Sequence, residues 1–134
     1  PYTDFRTLFH GHTFTGNALA CAAALASLEA LETDQVLQGL PERIQALTQA
    51  LEGLPSAHIV ETRQRGMMAG VVLRHDGDPE DRIGHRVCMA IRSHGVVLRN
   101  LGDVMVLMPP LAMTPAQIRQ LGDALALAMV DVLG

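Results

Sequence analysis

The chain has 134 residues, 49% of them hydrophobic, and its fourteen acidic side chains outweigh ten basic ones to give a net charge of −4. That length fits one domain burying on the order of 70% of its unfolded surface. The acidic balance, the absence of a basic stripe and a total of four aromatic residues exclude the usual footprint of a nucleic-acid binder. All ten basic residues are arginine, so no lysine amine exists for covalent catalysis.

The first informative segment is His10-Gly11-His12-Thr13-Phe14-Thr15-Gly16-Asn17. Gly11 and Gly16 allow tight turns, Thr13 and Thr15 offer hydroxyls, and Asn17 is suited to cap a helix. A helix N-terminus presents unpaired N–H groups, so the segment reads as an anion-binding turn suited to phosphate. The alternative for Thr13 is a turn threonine bonded to nearby backbone. An alanine-rich helix follows from about Asn17 to Glu32, with seven alanines between positions 18 and 30. It is shorter than the ~20 apolar residues of a membrane span. Cys21 in this helix and Cys88 further on read as small buried hydrophobes in a reduced, cytoplasmic protein, and no signal peptide is recognised at Pro1–Arg6.

Asp34 is expected to cap a second helical stretch whose stripe is Leu37, Leu40, Ile44, Leu47, Leu51 and Leu54, with Gly39 and Pro41 kinking or splitting it. His58 to Arg63 and Met67 to Leu73 read as strands of a hairpin across Arg65-Gly66. The acidic stretch from Arg74 to Asp81 is a loop without the glycine and terminal glutamate of a calcium loop. A helix follows from Ile83 to about His94, ended by Gly95. Val96 to Arg99 is expected as a short strand, Asn100 to Asp103 as a turn, and Val104 to Met108 as the antiparallel partner, stopped by Pro109-Pro110. Thr114 caps the last helix with Pro115 at its first position; Ile118, Leu121, Leu125, Ala128 and Val132 mark its buried side. The order αα, ββ, α, ββ, α predicts an α+β fold: a mostly antiparallel four-stranded sheet with helices on one face.

His10 and His12 invite a metal reading, but no cysteine or carboxylate nearby completes a ligand set, and no metal is expected. Arg99 by default is a surface arginine loosely paired with Asp103. No nucleophile-histidine arrangement is supported by spacing.

Nearly the whole chain resembles the carboxy-terminal third of class III, fold-type I pyridoxal-phosphate aminotransferases. The resemblance rests on the His10 to Asn17 segment, on Arg63-Gln64-Arg65-Gly66-Met67-Met68-Ala69-Gly70, and on Gly95 to Thr114 with its Pro109-Pro110. It implies that residues 1–32 form a cofactor-phosphate turn and interface helix. Residues 33–134 would be the small domain of the fold, with the helices before it packing on a large domain not contained in this chain.

His12 and Thr13 are implied to meet the phosphate of pyridoxal phosphate, Thr13 across the interface of a homodimer, and Arg99 the substrate carboxylate. No catalytic residue is carried over. The wording of the first segment is most similar to the biotin-synthesis branch, in which S-adenosylmethionine gives its amino group to 8-amino-7-oxononanoate. Alternatives are another ω-amino-acid or ornithine-type branch, or a non-catalytic binding or dimerisation module. Ala18 and Asn100 stand where the family commonly has proline, which would loosen the first turn and the Arg99 turn. Without lysine, the chain is expected to be inactive alone.

Overall fold

Proline and glycine set most of the boundaries in the computed structural model, which describes residues 2–4, 10, 11, 13 and 15–134. The chain divides into two compact units, Pro1–Leu37 and Gln38–Gly134.

In the first unit, α1 spans Ala18–Thr33 with Asn17 as its N-cap. Its small and apolar residues are distributed around the helix, and none is buried: Leu19 is 83% and Leu25 63% exposed. Cys21, expected in a core, is therefore exposed. Asp34 does not open a second helix. Its backbone N–H instead closes α1 onto the carbonyls of Ala30 and Glu32, and Gln35 then takes a positive φ of 47° that breaks the helical path.

The second unit begins its own helix later than expected, because Pro41 lacks an N–H and is accommodated only in a first turn. Helix α2 accordingly spans Leu40–Glu52 with Pro41 at its start. Its stripe turns inward progressively, from half-buried Leu40 and Ile44 to buried Leu47 and Leu51, with buried Leu54 just after the helix, whereas Leu37 lies before it and is exposed. Strands β1 (Ile59–Arg65) and β2 (Met68–Leu73) form the first hairpin, with Gly66 in the left-handed region at its turn. Helix α3 (Ile83–Ala90) runs on as a 3-10 turn over Ile91–His94 and stops at Gly95, whose φ is +78°. Strands β3 (Arg99–Leu101) and β4 (Val104–Leu107) form the second hairpin, and α4 spans Pro115–Leu133.

Strand β3 starts at Arg99 rather than ending there. The turn is only Gly102-Asp103, so pairing begins at Leu101 with Val104, and Gly102 takes the positive φ of 57° that the tight reversal needs. Val96 and Leu98 pack against the core as irregular chain. At the other side of this turn, a Cβ on Gly84 would collide with the Gly102 carbonyl oxygen, so α3 seats directly on the hairpin.

All strand pairs are antiparallel, in the order β1-β2-β4-β3. Alternation sends Ala69, Val71, Leu73, Met105 and Leu107 to one face, where α2, α3 and α4 cover them in a single core with Leu47, Ile83, Val87, Ile118 and Leu125. The fold is α+β with its helices on that face. The opposite face, carrying Met68, Gly70, Val72, Val104 and Val106, is left outside the core. Among the described residues no helix is long and apolar enough to cross a membrane.

Candidate functional site

In the first unit, the turn before α1 is built by its glycine and its cap. Gly16 takes a φ of +74°, a conformation that strains residues bearing a Cβ, and brings the chain into Asn17. Asn17 Oδ1 accepts the N–H of Ala20 at 2.9 Å, and its carbonyl accepts that of Cys21 at 3.0 Å. The N–H groups of Ala18 and Leu19 have no partner among the described residues, as expected of the first turn of a helix. Ala18 in place of proline adds one of these donors. Thr13 is exposed, and no described residue bonds to its hydroxyl. These donors suit a phosphate without proton transfer, since fixed N–H and O–H groups are all a dianion requires. His12 lies outside the described residues.

In the second unit, strand register creates a row across the sheet. Arg63 pairs with Gly70, Gly70 with Val106, and Val106 with Arg99. Directly paired residues project to the same side, so the order Arg63, Gly70, Val106, Arg99 crosses all four strands on the face away from the helices. A shallow groove of about 320 Å³ follows part of this face, lined by Arg63, Arg65, Met68, Gly70, Val106 and Met108.

Arg99 is exposed and forms no hydrogen bond or ion pair with any described residue. Asp103, its expected surface partner, is turned to α3 instead, where Oδ1 accepts the Gly84 N–H at 3.4 Å. The turn after Arg99 does not lack stiffening for want of proline. Asn100 Nδ2 donates to the Gly102 carbonyl at 2.8 Å, tying the hairpin across its own reversal.

Arg63 was less legible as a site residue, because nothing in its spacing distinguishes it from other arginines. The signal lies in the residue beside it. Gln64 turns inward, where Oε1 accepts from the Thr48 hydroxyl at 2.9 Å and Nε2 donates to the Gly66 carbonyl at 3.0 Å. That anchorage to α2 and to the turn fixes the strand's facing, so Arg63 and Arg65 must both point to the open side. Arg63 Nε is 3.6 Å from Glu61 Oε1, with both side chains more than half exposed, a pair of small energetic value.

Burial pushes the Cys88 thiol up from its ordinary pKa, with Arg92 pulling partly against it. Cys88 is thus a packing residue rather than a nucleophile. No group of three or more histidine, cysteine or carboxylate side chains that could hold a metal occurs among the described residues.

Comparison with known proteins gives this geometry a context. The family model for "Aminotransferase class-III" matches residues 1–129. An adenosylmethionine-8-amino-7-oxononanoate aminotransferase from Nitratidesulfovibrio vulgaris is 48% identical over 98% of this chain, which spans 26% of that protein. One from Geobacter sulfurreducens is 47% identical over 99% of the chain, which spans 31% of it. The crystal structure of an aminotransferase of the same name from Methanocaldococcus jannaschii superposes on the whole chain with a TM-score of 0.82 at 33% identity, and the chain covers 32% of it. The chain therefore spans between a quarter and a third of the relatives it matches, and it belongs to the class III aminotransferases.

Proposed function

We propose that this chain is the C-terminal portion of a cytoplasmic, homodimeric pyridoxal-phosphate aminotransferase of biotin synthesis, which moves the amino group of S-adenosylmethionine to 8-amino-7-oxononanoate. The observation that carries the reading is the Arg99 guanidinium, unpaired among the described residues and held on the open sheet face by the β3–β4 hairpin. Two donors at the α1 N-terminus without a partner among the described residues, and the exposed Thr13, support the cofactor half.

Pyridoxal phosphate, when bound, supplies the amine carrier and electron sink for the exchange. This chain's share is binding. The Thr13 hydroxyl and the Ala18 and Leu19 N–H groups would hold the phosphate of the neighbouring subunit's cofactor, a role the family resemblance also gives to His12. Arg99 grips the carboxylate of 8-amino-7-oxononanoate with two parallel N–H donors, a geometry open to a planar guanidinium and closed to an ammonium. The covalent anchor must come from elsewhere, because the chain has no lysine.

The test joins the chain to a lysine-bearing upstream portion from a named relative and measures each half-reaction in single turnover. Thr13→Ala should weaken cofactor retention, as each charge-assisted bond lost is worth about 1.5 to 3 kcal/mol. Arg99→Lys should leave cofactor retention unchanged and slow the 8-amino-7-oxononanoate half at least tenfold, with a smaller effect on the adenosylmethionine half. Equal losses in both halves would reduce Arg99 to a structural residue.

A further inference from the structure

We propose that the open face of the sheet is a two-ended carboxylate site that binds an α,ω-dicarboxylate, with Arg99 at one end of the cross-strand row and Arg63 at the other. The inference rests on the carboxylate role assigned to Arg99 and adds a second recognition point that this role does not require. Three strand spacings separate the two residues, roughly 14 Å between their Cα atoms, and both side chains can lean inward over Gly70 and Val106. A dicarboxylate with an aliphatic middle matches that arrangement of cation, apolar floor, cation.

Gly70 lines the groove at the middle of the row. Gly70 sits inside β2 without a positive φ, so its backbone does not demand glycine, and a Cβ there would meet Val104 Cγ1 at 3.3 Å. Glycine in a strand interior weakens the strand and marks a place of close approach. Here it opens the trough between Arg63 and Val106. Among the described residues Arg63 is held only by its loose pair with Glu61, which a ligand carboxylate can displace at little cost.

The test titrates the whole chain with suberate and with octanoate, a monocarboxylate of equal length, following arginine Nε–H signals by NMR. Suberate should bind roughly fivefold tighter than octanoate. Arg63→Gln should bring suberate to the octanoate value without changing octanoate, Arg99→Gln should weaken both, and Arg119→Gln on α4, matched in charge, should change neither. Equal affinities, absence of saturable suberate binding, indifference to Arg63→Gln, or the same loss from Arg119→Gln overturns the two-ended site. If octanoate binding still depends on Arg99 in those cases, the role of Arg99 stands; octanoate binding that survives Arg99→Gln overturns both.

Discussion

At the scale of single residues, the side chains that matter are those the fold leaves unengaged. Among the described residues Arg99 has no partner because Asp103 is drawn to the Gly84 N–H of α3, and Thr13 has none while Asn17 does the capping. The two cysteines differ for the same kind of reason. Cys21 rides an uncovered helix, whereas Cys88 sits on the buried side of α3 within the core. A thiol reagent at neutral pH should label one cysteine per chain quickly, Cys21, and reach Cys88 only as the domain opens. The raised pKa of Cys88 also sets a sign for stability. Its contribution is complete below the ordinary cysteine value of about 8.5 and is lost as pH rises from there through the raised value, because the unfolded thiol ionises first. The urea midpoint of the unmodified chain should therefore fall more steeply above that pH than the midpoint of Cys88→Ala, and parallel slopes would contradict it.

At the scale of elements, what could be read in advance was what local chemistry decides. Helix α4 begins where Thr114 and Pro115 say it does. Thr114 Oγ1 accepts the Gln117 N–H at 3.2 Å, and Gln117 Oε1 accepts the Thr114 N–H at 2.9 Å, a closed capping box. Thr114→Ala should cost about 1 kcal/mol in urea unfolding. A loss below a few tenths would mean the cap is redundant.

The first hairpin was legible because Gly66 stands between two β-rich runs. Strand β3 was not. Three residues are too few to show alternation, and Val96 and Leu98 are apolar for a different reason, packing in irregular chain. The stripe predicts too early a start for α2, because Leu37 fits its spacing while belonging to the unit before it. The candidate site was half legible. The resemblance singled out Arg99, but only strand register shows that Arg63 shares its row.

At the scale of the whole molecule, the chain belongs to the class III aminotransferases, and in the function proposed above it supplies binding groups and not the covalent chemistry. It has no lysine, and it spans between a quarter and a third of the named relatives. Helix α1, with no buried residue and leucines exposed along its length, has the composition of a surface that packs on other protein. Division of labour between this chain and an upstream portion is the central claim, and reconstitution tests it most directly. The chain, a separately produced lysine-bearing upstream portion of a named relative, and an equimolar mixture of the two are each supplied with pyridoxal phosphate, S-adenosylmethionine and 8-amino-7-oxononanoate, and the diamine product is measured. Product should form in the mixture and in neither part alone, and with Arg99→Lys in the mixture it should fall at least tenfold. Diamine formed by the chain alone, or a mixture that assembles and binds cofactor yet forms none, would contradict the account.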